Sequence, residues 1–423
     1  MADAEARALG VFPAGISNGE FGLPADDLVV IARGEGCRLW DGEGREYLDF
    51  SMGWGSSLVG HARPEVVAAV TAQAPEGSNF AYLNRQALDL AEEIQRLSPA
   101  AERLRFCASG TEATMYCQRL ARAATGRPKI LKFEGAYHGA NETGVTSLFP
   151  NRNLNFPEPE LTSAGTPAAA HQVLVAPYND LAAAESLISE HRAELAGVIV
   201  EPLQRCTPPE PGFLEGLRET CSAHDVVLIF DEVVTGFRLA YGGAQEYYGV
   251  VPDLVAYGKA LGGGYPIGAF GGRPEIMELV SEHRIGGPDY VWMASTLGGN
   301  PISCAAANAA LEVFRRPGTY ERLHGLGQTL REGLAERLAA AGVEAQVIGD
   351  GPLAQVVFSG EPVNDYRSTA RGDKAKARAL ALGLFRAGVF LNPMGTKLYL
   401  SLAHDEAAID DFLDRFDQVL AGI

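Results

Sequence analysis

The chain has 423 residues, of which 47% are hydrophobic and 21% are charged, a composition typical of a folded globular protein. This length predicts about two to three domains. Acidic residues outnumber basic ones by 53 to 35, giving a formal net charge of −18, and no basic face is expected that could bind nucleic acid.

Other features of the sequence exclude further classes. The acidic start of the chain lacks the basic and apolar parts of a signal peptide, and no apolar run approaches the about 18 residues that a membrane helix needs. The six cysteines are scattered and form no Cys-x-x-Cys pair, so neither a zinc knuckle nor a disulfide framework is predicted, and no metal site is expected. We therefore expect a cytoplasmic protein without a membrane segment.

Up to residue 300, short apolar segments rich in β-branched residues alternate with amphipathic segments. This pattern predicts an α/β fold, in which helices flank a mostly parallel sheet that is buried on both faces. The predicted strands are 104–107, 129–133, 173–176, 197–200, 226–230 and 254–257. The predicted helices are 64–74, 86–97, 111–124, 181–195 and 211–223.

After residue 300 the pattern becomes that of a smaller α+β unit. Its predicted elements are helices at 301–315, 320–341, 374–387 and 406–420, and strands at 345–348, 353–358 and 399–402. We expect 1–60 and 313–423 to form this small domain and 61–312 to form the large one. The proline-rich segment 149–171 is predicted to be a lid or binding loop, because so long a loop in a compact domain is usually functional.

Three segments carry residue types that suit one chemistry. In the first, a strand is followed by Ser109-Gly110-Thr111 and a helix. The free N–H groups and the dipole at a helix start can bind an anion. On its own, this segment is more often an ordinary helix cap.

The second segment is a buried strand that ends in Asp231 and Glu232. Ligands of open α/β sheets bind at the carboxyl ends of the strands, where a buried acid can keep a pyridinium nitrogen protonated. The same acidic pair could belong to a solvated strand end or to an ATPase. An ATPase would also need the phosphate-binding motif Gly-x-x-x-x-Gly-Lys-Ser/Thr, which this sequence lacks.

The third segment is a strand that ends in Lys259 and is followed by three glycines. Taken alone, Lys259 is more often a surface lysine. Together the three segments offer a phosphate cradle, an acid for a ring nitrogen and an amine for a Schiff base, which are the requirements of pyridoxal 5′-phosphate (PLP). A dinucleotide site is not favoured, because Gly34-Glu-Gly36 lacks the third glycine and opens no helix.

These segments and several others resemble class III aminotransferases, which are PLP enzymes of fold type I, and most of all the glutamate-1-semialdehyde aminomutase branch. The matching motifs are Pro13-Ala-Gly15, Gly60-His61-Ala-Arg-Pro64, Arg105–Ala113, Lys132–Gly139, Ala196–Pro202, Phe230–Arg238, Gly258–Gly264 and Ser295–Pro301. The resemblance implies a large domain with a mostly parallel seven-stranded sheet, and a smaller α+β domain from both termini.

The resemblance also implies a role for each matching residue. Lys259 forms the Schiff base and moves the proton, while Asp231 pairs with the pyridine nitrogen. The other implied cofactor contacts are Ser109, Gly110 and Thr111 at the phosphate, Val233 and Tyr137 on the two ring faces, Glu201 near the ring hydroxyl, His138, and Thr296 at the phosphate of a neighbouring subunit. Such a Thr296 contact makes a homodimer the expected catalytic unit.

Three positions depart from the aminomutase pattern. Phe21 stands where the aminomutase has a carboxylate-binding arginine, and Met394 stands where related transaminases can place one. Cys206 occupies a position that is often asparagine. Phenylalanine cannot replace a bidentate arginine contact. Phe21, Met394 and Trp54 are the residues expected to line the substrate pocket.

The sequence therefore predicts an aminotransferase that moves an amino group from an amine donor to a carbonyl acceptor in two half-reactions. The alternative is the aminomutase itself, in which donor and acceptor are one molecule. Another PLP reaction, such as racemisation or decarboxylation, and a catalytically silent PLP-binding homologue stay open, because the cofactor motifs alone do not select the reaction.

Overall fold

The computed structural model describes residues 2–19, 22–392 and 395–423. The chain folds into two compact units. The small unit comprises the chain up to Pro64 together with Arg316–Val363 and Arg367–Ile423, and the large unit comprises Glu65–Arg315 with Asn364–Tyr366. The predicted division into a cofactor domain and a small domain, with its boundaries, stays a prediction.

The strands of the described residues are named here in chain order. They are β1 (Ile31–Glu35), β2 (Arg38–Asp41), β3 (Glu46–Asp49), β4 (Arg103–Cys107), β5 (Lys129–Phe133), β6 (Val173–Ala176), β7 (Leu195–Val200), β8 (Val227–Asp231), β9 (Leu254–Tyr257), β10 (Gly268–Gly272), β11 (Gln346–Ile348), β12 (Leu353–Val357), β13 (Val389–Phe390) and β14 (Lys397–Tyr399).

The α-helices of the same ranges are named likewise. They are α1 (Ala2–Val11), α2 (Met52–Gly55), α3 (Pro64–Gln73), α4 (Arg85–Leu97), α5 (Gly110–Thr125), α6 (Glu142–Val145), α7 (Ala169–Gln172), α8 (Leu181–His191), α9 (Phe213–Ala223), α10 (Ala244–Tyr248), α11 (Pro274–Met277), α12 (Pro301–Phe314), α13 (Thr319–Ala340), α14 (Tyr366–Ala370), α15 (Lys374–Arg386) and α16 (Glu406–Leu420). None of them, over the residues that the structure describes, is both long and apolar enough to cross a bilayer.

The large unit is built on a seven-stranded sheet in the order β4-β10-β9-β8-β7-β5-β6. Strands β5 to β9 pair in parallel, and β10 is antiparallel to both β4 and β9. Because β4 and β9 both oppose β10, β4 runs in the same direction as the parallel strands. The carboxyl ends of β4, β5, β7, β8 and β9 therefore meet at one edge of the sheet, where such sheets bind ligands.

The strands predicted up to residue 300 are confirmed within one or two residues, and the predicted α/β class is confirmed. The pattern did not indicate β10, because its sequence Gly-Ala-Phe-Gly-Gly has no β-branched residue. The glycines are required by close packing. A Cβ atom at Gly272 would lie 2.3 Å from Leu254 Cδ2, and one at Gly268 would lie 2.2 Å from the carbonyl oxygen of Ser109.

The small unit contains a four-stranded sheet, β1-β2-β3-β13, and a three-stranded sheet, β11-β12-β14. Its core includes Leu326, Leu330 and Leu334, which α13 presents at a spacing of four residues, and Phe412 and Phe416 of α16. The strand predicted at 399–402 is shifted towards the N-terminus. Pairing with β12 ends at Tyr399, after which a turn follows in which the N–H of His404 donates to the carbonyl of Ser401.

The segment predicted as a long loop forms no strand. Its residues make turns until α7 begins at Ala169. The loop is folded around the buried carboxylate of Glu160, which accepts the backbone N–H groups of Asn151 at 3.3 Å and Arg152 at 2.9 Å. Its function as a lid stays a prediction.

Candidate active site

The Ser-Gly-Thr turn forms the N-terminus of α5. Ser109 has extended backbone angles, and its hydroxyl accepts the N–H of Glu112 at 3.2 Å, as an N-cap does. The Glu112 carboxylate in turn accepts the N–H of Ala108 at 2.7 Å and the hydroxyl of Ser295 at 3.0 Å. This network fixes a helix start whose first N–H groups have no partner inside the helix.

The glycine in this turn is required by its neighbour. A Cβ atom at Gly110 would lie 2.7 Å from Val233 Cγ1, so only glycine lets the helix start approach Val233 this closely. A Cβ atom at Gly139 would lie 2.7 Å from Thr111 Cα, and the Thr111 hydroxyl accepts the N–H of Ala140 at 3.3 Å. The segment after β5 is thereby held against the same helix start.

Asp231 ends β8 and binds His138. The two side chains are 5% and 0% exposed, and His138 Nδ1 lies 2.8 Å from Asp231 Oδ2. Since a carboxylate only accepts hydrogen bonds, Nδ1 is the donor. The other oxygen, Oδ1, accepts the N–H of Val233 at 3.1 Å. Buried His138 Nε2 has no hydrogen-bond partner in the described part of the chain.

Lys259 follows β9 at the same edge of the sheet. Its backbone φ of +44° lies in the left-handed region, which costs a non-glycine residue about 1–2 kcal/mol. The preceding Gly258 is packed tightly. A Cβ atom there would lie 3.3 Å from Val233 Cγ1 and 3.4 Å from Gly110 Cα. Lys259, with its strained backbone, therefore comes directly after a glycine that packs against both Val233 and the start of α5.

Tyr137 and Glu201 are joined through the backbone. The N–H of Tyr137 donates to Glu201 Oε1 at 2.8 Å, and the N–H of Arg205 donates to Oε2 at 3.1 Å. Glu201 is 6% exposed, and Tyr137 is half-buried. Glu201 thus braces two loops, the one after β5 and the one after β7.

The structure adds Lys132, to which the sequence analysis gave no role. Lys132 lies in β5 with no exposed surface, and its ammonium donates to the carbonyls of Ala136, Gly144 and Thr146 at 2.8, 3.1 and 2.5 Å. Burial lowers its pKa to about 7. A lysine inside an apolar strand was the signal that could have identified it.

Glu232 is a second buried carboxylate beside Asp231. It accepts the N–H of Ala244 at 2.6 Å, the N–H of Gln245 at 3.2 Å and the Gln245 side-chain amide at 2.9 Å. Burial raises its pKa to about 7. These contacts make Glu232 a cap of α10, so the two adjacent acids of the strand end have different surroundings.

The remaining predicted site residues are Thr296, Trp54, Phe21 and Met394. Thr296 is exposed in a turn before α12. Trp54 is half-buried in α2 of the small unit, with φ at +57°. Phe21 and Met394 lie outside the described residues. The structure therefore brings together the predicted cofactor residues of the large unit, with Thr296 as the exception.

The clustered residues fit PLP, a planar pyridine that carries a phosphate. Gly110 and Gly258 let the start of α5 and the end of β9 pack closely against Val233, and the start of α5 can bind a phosphate. Asp231 accepts one hydrogen bond on each oxygen, and a carboxylate has about four acceptor sites, so it can accept another N–H. These residues are thus suited to bind both the phosphate and the ring nitrogen of the cofactor.

Comparisons with known proteins identify the family. The family model "Aminotransferase class-III" matches residues 24–420. Glutamate-1-semialdehyde 2,1-aminomutase of Thermomicrobium roseum is 41% identical over 97% of this chain and 96% of its own length. Further curated relatives, 39–42% identical, carry the same enzyme name.

Two solved structures are similar over nearly the whole chain. An omega-transaminase from Sphaerobacter thermophilus is 37% identical with a TM-score of 0.91, covering 99% of this chain and 97% of its own. A transaminase with PLP bound is 31% identical with a TM-score of 0.89, covering 100% of this chain and 97% of its own.

These findings confirm the predicted fold type, the family resemblance and the cofactor. For the reaction, the names of the curated relatives support the alternative, an aminomutase, better than the predicted intermolecular aminotransferase. The chain belongs to the class III aminotransferase family, the PLP-dependent enzymes of fold type I.

Proposed function

We propose that this chain transfers an amino group with PLP held by the cluster at the carboxyl edge of the large sheet. The observation that carries the proposal is the arrangement of Asp231, Val233 and Gly110, which are joined by direct contacts, with Lys259 following directly on Gly258. PLP, when bound, supplies an electron sink for the negative charge left on a substrate carbon after proton loss.

The residues of the chain divide the remaining tasks. Asp231 accepts the N–H of the cofactor ring, while the hydrogen bond from His138 fixes the orientation of the carboxylate. Ser109, Gly110 and Thr111 hold the phosphate at the start of α5. Lys259 attaches the cofactor and then takes and returns the proton at the substrate carbon, as a placed base.

The sides of the ring and its hydroxyl involve three further residues. Val233 covers one face, and its contact with Gly110 fixes that wall. Tyr137 stacks on the other face. Glu201 acts near the ring hydroxyl, where its hydrogen bonds to the N–H groups of Tyr137 and Arg205 hold both loops in place.

The first candidate reaction is the 2,1-aminomutase reaction, in which the amino group moves between neighbouring carbons of one molecule. Curated relatives of 39–42% identity over most of this chain, all named for that reaction, support it. Glutamate-1-semialdehyde is then the substrate. Trp54, Phe21 and Met394 are proposed to line the substrate pocket.

The second candidate is intermolecular transamination between an amine donor and a carbonyl acceptor. A specific observation favours it. Phe21 stands where the aminomutase pattern has an arginine, and phenylalanine offers no donor to a substrate carboxylate. The similarity to a solved omega-transaminase at 37% identity adds support.

One experiment separates the two candidates. The PLP-loaded protein is given glutamate-1-semialdehyde as its sole substrate, and the products are identified by mass spectrometry and NMR. Formation of the isomer with the amino group moved from carbon 2 to carbon 1 supports the aminomutase. Turnover only when a separate donor and acceptor are both supplied supports the transaminase. A protein that cannot be loaded with PLP would overturn both.

We further propose a homodimer in which Thr296 reaches the phosphate site of the second copy. Thr296 lies beside exposed apolar side chains, among them Leu297 at 49% exposure, and Asn84 Nδ2 donates to the Gly299 carbonyl at 2.8 Å. That bond joins the turn to a segment with Tyr82 and Leu83, which are 84% and 72% exposed. Such an apolar patch is typical of a protein interface. Sedimentation equilibrium that shows only a monomer would contradict this proposal.

A further inference from the structure

Lys132 is a buried cation that the proposed chemistry does not use. It lies in β5, opposite Val175 of β6 and Ile199 of β7, and its side chain has no exposed surface. Lysine is almost never fully buried unless it is paired. Within the described ranges, Lys132 takes part in no ion pair, so its charge is balanced by dipoles instead.

The ammonium group uses all of its donors on one stretch of chain. A protonated lysine has three N–H donors. Its Nζ atom lies 2.8 Å from the carbonyl oxygen of Ala136, 3.1 Å from that of Gly144 and 2.5 Å from that of Thr146. These three carbonyls belong to the segment 136–146, which we call the clamped segment. One side chain thus ties its beginning to its end.

The clamped segment carries two residues of the cofactor site. Tyr137 follows Ala136 directly, and His138, whose ring binds Asp231, comes next. The carbonyl of His138 accepts the hydroxyl of Thr114 at 2.7 Å, which is a second attachment of the segment. Loss of the ammonium would remove this donor from all three carbonyls, of which that of Gly144 also accepts the N–H of His138 at 3.4 Å.

Charged groups around Lys132 act in both directions. Burial, followed by the positive charge of Arg205, lowers its pKa, while Glu201 and Asp231 favour its charged form. His138 lies in the clamped segment itself, Glu134 is buried just beyond β5, and Glu142 of α6 is exposed. Strand β6 has no charged residue, and His171 of α7 is exposed. The resulting pKa of about 7 means that deprotonation removes a donor within an ordinary pH range.

We propose that Lys132 is a positioning residue, which through its three hydrogen bonds to the clamped segment keeps Tyr137 and His138 in place at the cofactor site. The inference rests on the proposed function, because that function places Tyr137 and His138 at PLP. The inference also goes beyond that function, because Lys132 itself is not placed in contact with cofactor or substrate.

The test compares Lys132→Met with Lys129→Met in the PLP-loaded protein. Methionine keeps the length of the side chain and removes the donors. Lys129 lies in the same strand, but its ammonium pairs with Glu194 at 2.7 Å, away from the clamped segment. Amide hydrogen exchange and the visible circular dichroism per bound PLP are measured, since the dichroism reports how the ring is held.

For Lys132→Met we expect exchange in the clamped segment to become about tenfold faster than in wild type. The exchange rates in the strands of the sheet should not change. The visible dichroism per bound PLP should fall as well. The Lys129 variant should match wild type in both measurements. Equal exchange and equal dichroism in the two variants would overturn the inference.

A second measurement needs no variant and therefore decides the case if Lys132→Met does not fold. In the wild-type protein, protection of the clamped segment relative to the strands of the sheet should decrease as pH rises from 6 to 9, because burial lowers the pKa of Lys132 to about 7 and deprotonation removes one of its donors. Relative protection that does not change with pH would overturn the inference. Failure to bind PLP would overturn the proposed function, while the exchange comparison would still decide whether Lys132 holds the clamped segment in place.

Discussion

Each of the two compact units contains a histidine bound to a buried aspartate. In the large unit, His138 Nδ1 lies 2.8 Å from Asp231 Oδ2, and in the small unit His61 Nε2 lies 2.6 Å from Asp49 Oδ2. The aspartates are similarly buried, at 5% and 1% exposure. The histidines differ, because His138 has no exposed surface whereas His61 is 20% exposed.

The surroundings of the two pairs indicate different roles. Asp49 Oδ1 accepts the backbone N–H groups of Ser51 and Met52, both at 2.8 Å, so the carboxylate fixes the turn after β3. Asp231 instead stands at the carboxyl end of a parallel strand, beside a wall of Val233 and two glycines. The same histidine–aspartate hydrogen bond therefore stabilises a turn in one unit and orients a proposed cofactor ligand in the other.

A buried nitrogen without a partner does not by itself mark a ligand site. His404 of the small unit has such an Nε2 atom in the described structure, while its Nδ1 atom accepts the N–H of Ser401 at 3.0 Å. Burial lowers the pKa of His404 to about 3, so this ring stays neutral. The comparison teaches that the neighbours of a pair, and not its chemistry alone, identify the site.

The largest expected effect tests whether the large-unit pair belongs to a PLP site at all. Lys259→Ala removes the proposed attachment point and the proposed base, and we expect activity to fall by about a thousandfold or more. Borohydride reduction of the PLP-loaded wild type should label the peptide that contains Lys259, and mass spectrometry should find no label there in the variant. Lys129→Ala serves as the control and should keep the label. A label on another lysine would contradict the assignment.

The next prediction concerns a substitution in the His138–Asp231 pair of the large unit. Asp231→Asn keeps the size of the side chain but removes the negative charge that holds a pyridinium proton. We expect kcat to fall by about a hundredfold, the loss typical of one preorganised electrostatic contact. The measurement is kcat per bound PLP. Asp49→Asn is the matched control, for which kcat per bound PLP should be unchanged, and an equal loss in both variants would refute the distinction between the pairs.

How far the sequence predicted this site depended on the kind of signal. Lys259, Asp231 and Gly110 could be placed at the sheet edge because Asp231 ends a predicted strand and Gly110 and Lys259 closely follow one. The close contact between Gly110 and Val233 could not be predicted, since it joins segments more than a hundred residues apart. For Lys132 the sequence shows a lysine inside an apolar strand, but not its acceptors, which are backbone carbonyls and leave no mark in the sequence.

The fold shows the same limit. Fully buried strands that contain β-branched residues, such as β7, were found because burial on both faces selects an apolar composition. Strand β10 was not found because tight packing against neighbouring backbone selects glycine, which otherwise indicates a turn. The sequence pattern thus predicted buried strands well, but it did not predict a strand in which glycine is needed for close packing against neighbouring segments.

A smaller effect tests the raised pKa of Glu232, the acid next to Asp231. The pKa of Glu232 is raised from 4.5 to about 7 in the folded protein. Its protonated form is therefore favoured by folding, so this contribution to stability is fully present below pH 4.5 and is lost as pH rises through 7. Between pH 5 and pH 8 we expect it to decrease by about 2 kcal/mol.

Chemical unfolding of wild type and Glu232→Gln at several pH values measures this contribution. Glutamine does not titrate, so the difference in unfolding free energy between the two proteins should change with pH in the stated direction. Asp253, also buried, is paired with Arg218 at 3.0 Å, and Asp253→Asn is a control for the general effect of removing a buried carboxylate. A parallel pair of curves for wild type and Glu232→Gln would contradict the raised pKa.

The smallest expected effect compares the two histidines themselves. His61→Gln removes a partly exposed hydrogen bond to a carboxylate, and we expect a loss of about 1 kcal/mol in unfolding free energy with no change in PLP affinity. His138→Gln should instead weaken PLP binding by about tenfold, because the carboxylate of Asp231 loses the donor that orients it. Equilibrium dialysis and urea unfolding measure the two quantities. If His61→Gln weakened PLP binding as much as His138→Gln, the two pairs would share one role and the contrast between the units would fail.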